Sequence, residues 1–101
     1  MVHVHSLLDH DAVDQWVRHA QAELRSALQR PDAPAMDCQW LLRRCDDTLR
    51  YEGEMKYEST LHLIEDLEML ASEFPGTLPD DLTVTPRALV AEPASRRFLN
   101  G

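Results

Sequence analysis

The sequence predicts an all-α fold, a small antiparallel bundle of three main helices with a short fourth helix near the C-terminal end. Three observations carry that expectation. Apolar residues recur at three- and four-residue steps in three stretches, 6–29, 35–52 and 52–74, the period of a helix with one buried face. Proline- and aspartate-rich clusters, RPDAP at 30–34 and PGTLPDDLTV at 75–84, punctuate them. The one stretch that alternates, MVHVH at 1–5, is too short to build a sheet and reads as an extended arm. A chain of 101 residues holds one domain.

The first helix is expected from Ser6 to Gln29. Ser6 with Asp9 three residues on resembles a capping box, with Asp in place of the usual Glu. Asp9, Asp11 and Asp14 complement the positive end of the helix dipole. Val13, Trp16, Val17, Ala20, Leu24, Ala27 and Leu28 form one face, with Gln15, Arg18, His19, Ser26 and Gln29 opposite. Trp16 sits inside the stripe and is assigned to the core.

The turn at Arg30–Pro34 is short, so the second helix returns antiparallel to the first. It runs from Ala35 to about Glu52, with Cys38, Leu41, Leu42, Cys45 and Leu49 as its core face. Met36, Trp40, Asp47 and Tyr51 fall on the other side, flanked by Arg43 and Arg44. Two readings of Trp40 and Tyr51 stand side by side. Either the helix is central and packs on two sides, or these aromatics and arginines form a contact surface, the residue types that dominate binding hot spots. Gly53 either caps this helix in the left-handed conformation or lies in a bend between two helices.

The third helix, Glu52 to Phe74, organises the rest. On a wheel of about 100° per residue, Tyr57, Leu63, Ile64, Leu67, Leu70, Ala71 and Phe74 fall in one arc. Glu54, Glu58, His62, Glu65, Asp66, Glu68, Ser72 and Glu73 take the opposite arc, with Leu61 and Met69 within or beside it. The acids are not interleaved with lysines, as a self-neutralising helix would be. An acidic face is often simply solvated, but apolar side chains among the acids suit an interface. Pro75-Gly76 stops the helix. Beyond the loop, Thr85 as N-cap and Pro86 at the first helical position open a short helix to about Ala91. That helix puts Leu89 and Val90 on the bundle before Pro93 interrupts it. Residues 93–101 form one more turn or a flexible tail. No internal repeat or low-complexity tract stands out.

The formal net charge is −8, and between Asp46 and Asp81 eleven acids face only Arg50 and Lys56. Such a field repels nucleic acid and anionic membrane and suits a basic protein partner. No apolar run reaches the roughly 20 residues that span a bilayer, and the N-terminus lacks the basic start and apolar core of a signal peptide. A cytoplasmic location is expected. Cys38 and Cys45, seven residues apart on one helix, are separated by about 10.5 Å of rise, beyond disulfide reach. They read as small buried residues in a reducing compartment. Arginine outnumbers lysine nine to one, which suggests a GC-rich, bacterial gene.

Chemistry finds little support. His3 and His5, His10 among Asp9, Asp11 and Asp14, and His62 with Glu58 and Glu65 are the candidate metal clusters. None has the paired Glu-x-x-His, Cys-x-x-Cys or His-Glu-x-x-His spacing of a metal site, so neither metal nor cofactor is expected. There is no Gly-x-Ser-x-Gly and no phosphate-binding glycine loop. Cys45 lies beside Asp46 with no histidine near in sequence. A DNA-reading helix around Arg43 and Arg44 is spoiled by Asp46 and Asp47.

The expectation is therefore a non-enzyme. By size, charge and helix content the chain is of the type of a bacterial immunity or antitoxin protein, whose acidic helix occludes the cationic active site of a toxin such as a nuclease. The expected partner-binding residues are Glu54, Glu58, Leu61, His62, Glu65, Asp66, Glu68, Met69 and Glu73, with Trp40 and Tyr51. The alternative is a regulatory or assembly module: a DNA-mimicking phage inhibitor, a secretion chaperone or a self-associating scaffold subunit. Monomer and homodimer both remain open.

Overall fold

A computed structural model describes residues 10–82. The described residues form three α-helices, α1 (His10–Leu28), α2 (Ala35–Arg50) and α3 (Gly53–Glu73), followed by a 3-10 turn at Asp80–Leu82. The fold of the described residues is all-α. The arm at 1–5, the Ser6–Asp9 box, the short helix expected at 86–91 and the tail at 93–101 lie outside them. No helix among the described residues is long and apolar enough to cross a membrane.

α2 is the shared element, packing along α1 on one side and α3 on the other. α1 contributes Val13, Trp16, Val17, Ala20, Leu24 and Ala27 to the core, α2 contributes Cys38, Leu41 and Cys45, and α3 contributes Leu63, Ile64, Leu67 and Leu70. Each large apolar side chain removed from water adds roughly 1.5–3 kcal/mol. Leu42, Leu49 and Tyr57 are half-buried against this core.

α2 and α3 are separated by only two residues in extended backbone, Tyr51 (φ −78, ψ 158) and Glu52 (φ −135, ψ 161). Gly53 then opens α3 at φ +61, and a Cβ built there meets nothing within 4 Å. Of the two roles open to Gly53, the bend is the one seen. The backbone sign, not crowding, is what an L-residue would resist there.

The segment after α3, expected as plain loop, completes the core. Leu78 and Leu82 are both buried, and the indole Nε1 of Trp16 donates to the Leu82 carbonyl at 2.7 Å. Arg30 clasps the same segment, its Nη1 donating to Gly76 O (3.4 Å) and its Nη2 to Thr77 O (2.5 Å). Phe74, assigned to the core arc, is instead 40% exposed. It is the residue that caps α3, at φ −131 and ψ 72, so the helical register no longer aims its ring inward. Ala71, in the same arc, is also exposed.

Two of the six buried residues of α3 are polar. Lys56 and Thr60 are buried about two turns and one turn before Leu63. The Lys56 ammonium donates to Asp14 Oδ1 of α1 at 2.5 Å and to the Leu49 carbonyl of α2 at 3.5 Å. Thr60 Oγ1 turns back to the Lys56 carbonyl at 2.6 Å. On α2, Thr48 donates to Arg44 O at 2.9 Å and shares a 2.5 Å hydroxyl contact with Ser59 of α3. Gln21 Nε2 of α1 donates to Asp46 Oδ1 of α2 at 2.7 Å. These bonds satisfy groups whose burial would otherwise cost free energy.

Cys38 and Cys45 are buried free thiols. Burial, reinforced by Asp46, pushes the Cys45 thiol up to about 12 against a weaker opposing pull from Arg25. Cys38 is raised in the same way, by burial first and then Asp37, with Arg30 opposing. Because the folded state holds these protons more tightly, their contribution to stability is complete below the ordinary thiol value near 9. It falls as pH rises from there toward the folded value, by up to about 1.4 kcal/mol per pH unit for each thiol. Urea midpoints measured between pH 8 and 11 are expected to drop accordingly, and a double Cys→Ala variant to flatten the drop.

Candidate partner-binding surface

The sequence places the acids of α3 opposite its core stripe, and the structure exposes most of that face. Glu54, Glu58, His62, Glu65 and Glu73 are exposed, whereas Asp66 and Glu68 are half-buried. None of Glu54, Glu58, Glu65 and Glu73 meets a cation within 4 Å among the described residues, where the ion pairs are Arg44–Asp66 and Lys56–Asp14. Met69 stands 60% exposed among these acids. Leu61 does not join it, because it is half-buried and packs against the core. Tyr51 is half-buried in the extended link that follows α2.

Trp40 is 51% exposed on α2, so it is not buried against a second packing side. The Arg44 guanidinium lies over its ring, 5.2 Å from the centroid. Arg44 also points its Nε toward Asp66 Oδ2 at 3.7 Å, longer than a hydrogen bond. The Asp66 Oδ2 atom is itself out of solvent and accepts no hydrogen bond among the described residues.

Between α2 and α3 these residues close around a small pocket of about 90 Å³, lined by Asp37, Trp40, Leu41, Asp66, Met69, Leu70 and Glu73. Leu41 and Leu70 are its buried floor, and Trp40 and Met69 are its exposed walls. Two helices supply the same pattern in the same spacing, Asp37-x-x-Trp40-Leu41 and Asp66-x-x-Met69-Leu70. On a helix that spacing puts an acid, an exposed apolar group and a buried leucine side by side within one turn. Two five-residue matches do not stand out as a repeat, and they convey nothing until the two helices are known to lie against each other. Asp37, which the sequence does not single out, lines this pocket, whereas Arg44 belongs to the aromatic–arginine surface expected on α2.

Among the described residues no three His, Cys, Asp or Glu side chains gather into a possible metal site. Comparison with known proteins finds no matching family model, no matching curated protein and no matching solved structure.

Proposed function

We propose that this protein is a non-catalytic, protein-binding inhibitor of the immunity or antitoxin type, acting in the cytoplasm on a basic partner. Its acidic helix would lie over the cationic active site of a toxin enzyme such as a nuclease, a site that must be positive to hold phosphates. The observation that carries this reading is the exposed row Glu54, Glu58 and Glu65 on α3, with no cation within 4 Å among the described residues and with exposed Met69 one turn beyond its end. An antiparallel arrangement of the helices belongs to the same reading. The order of contacts between α2 and α3 supports it: Arg44–Asp66, Thr48–Ser59 and Leu49–Lys56 ascend one helix while descending the other.

Co-purification from the native host, with mass spectrometry of what is retained, identifies the partner. Against that partner, the double variant Glu58→Lys/Glu65→Lys is expected to associate at least about tenfold more slowly at low salt, with a flatter salt dependence, since like charges then meet across the interface. Unchanged association kinetics would remove the acidic helix from the interface. A self-associating scaffold subunit is the second reading, favoured by the exposure of Met36 and Trp40 on one helix. A stable homodimer on a sizing column, lost in Trp40→Ala, would favour it.

A further inference from the structure

We propose that the seam between α2 and α3 is an anchoring groove for an amphipathic helix of the partner, one that carries arginine or lysine a turn to either side of an apolar residue. This rests on the reading of the protein as a partner-binding inhibitor. It moves the centre of binding from the outward row Glu54, Glu58 and Glu65 to the Trp40–Met69 pocket.

Size comes first. A cavity of about 90 Å³ is far below the roughly 300–1,000 Å³ of small-molecule sites, but it can receive part of one side chain. Its chemistry comes second. A floor of Leu41 and Leu70 with walls of Trp40 and Met69 accepts an apolar group or the stem of a long cationic side chain. The tryptophan face and the methionine thioether also suit a guanidinium.

Charge then selects the occupant. Asp37, Asp66 and Glu73 rim the pocket. The one described cation beside it, Arg44, is shared between the Trp40 ring and Asp66 and hydrogen-bonds neither. Asp66 Oδ2 is buried and without a hydrogen bond among the described residues, while the side chain as a whole is 26% exposed, so an incoming N–H donor meets an under-paired carboxylate at its exposed part. A second copy of this chain would bring the same carboxylates against these, and an anionic surface would be repelled.

The groove also suggests the occupant's form. The contact order of α2 and α3 puts Asp37 and Glu73 toward one end of the pocket and Asp66 toward the other. Asp37 and Leu41 are separated by about 6 Å of helix rise. Acids at both ends of an apolar centre match a docked helix whose cations flank an apolar residue by one turn, the usual spacing of groove-bound helical anchors.

The probe is a synthetic 18-residue helical peptide with one face of leucine flanked by arginines, and a matched peptide in which the arginines are glutamates. Each is titrated into the full ¹⁵N-labelled chain, and chemical shifts are followed at the Trp40 indole and at amides 37–41 and 66–73. The arginine peptide is expected to shift these signals and the glutamate peptide to leave them. Asp66→Asn and Trp40→Ala, each checked by circular dichroism for intact helix content, are expected to weaken the arginine peptide at least about tenfold. The outward control Glu58→Gln/Glu65→Gln is expected to change it less than about threefold.

Four outcomes overturn the proposal. One is shifts confined to Glu54, Glu58 and Glu65 with Asp66→Asn neutral, which leaves the acidic-helix reading standing. Another is equal binding of both peptides. The third is no binding of either. The fourth is a concentration-dependent shift of the Trp40 indole without peptide, which would make the seam a contact between copies. Failure of the inhibitor reading itself is read separately, from the association kinetics of Glu58→Lys/Glu65→Lys with the native partner.

Discussion

Asp14→Asn is expected to lower the unfolding free energy by roughly 2–3 kcal/mol, although Asp14 lies on the rim of the core and its loss removes little apolar area. The effect comes from what is left behind. Lys56 is only 2% exposed, and Asp14 is the only charged group bonded to it among the described residues. Breaking a buried ion pair from one side typically costs about 3–5 kcal/mol, because the surviving charge is stranded. The Asp14 side chain is one-third exposed, so solvent screens part of that cost. Removing both charges is a different experiment. Asp14→Leu/Lys56→Met is expected to recover most of the loss, since a packed apolar pair often matches a buried ionic one. Chemical denaturation of Asp14→Leu, Lys56→Met and the double gives the coupling directly. If Asp14→Asn shifts the midpoint no more than a surface substitution does, the pairing is not what holds Lys56 inside.

Trp16→Ala is expected to be the more damaging single change, by roughly 3–5 kcal/mol, the usual range for deleting a large buried aromatic. Against the roughly 5–15 kcal/mol of a typical domain, that leaves a partly unfolded population. Trp16→Phe separates two components. It keeps most of the ring volume and removes the donor to the Leu82 carbonyl, which costs about 1–3 kcal/mol for a buried acceptor left unmet. The loss is expected to be local. Hydrogen exchange should accelerate at the Leu82 amide, which is bonded to Pro79 O, while α2 amides keep their protection. Uniform acceleration over all three helices would mean that the bond supports the whole core and not the closing segment.

The helices were legible because their apolar residues repeat at the right period. Val13, Trp16, Val17, Leu24, Leu41, Cys45, Ile64, Leu67 and Leu70 are buried as the pattern predicts. The departures have physical causes. Lys56 and Thr60 occupy wheel positions beside Leu67, but a lysine and a threonine do not register as core in an apolar count. Their burial depends on partners supplied by α1 and by their own helix. Leu78 and Leu82 lie in a segment with no period at all, and it is the folded face of α1 that gives them somewhere to go. Phe74 is lost from the stripe at the point where helical geometry stops. For the candidate surface, the acid row of α3 could be read from one strand of text, whereas the pocket required knowing which helix lies beside which.

Lys56 is the sole lysine of the chain, and its amine is sealed in the interior. Amine-directed acylating reagents therefore find no side-chain target on the closed molecule. The rate at which such a reagent marks position 56 would report how often the start of α3 leaves Asp14 of α1 and Leu49 of α2, a stopwatch already built into the natural sequence.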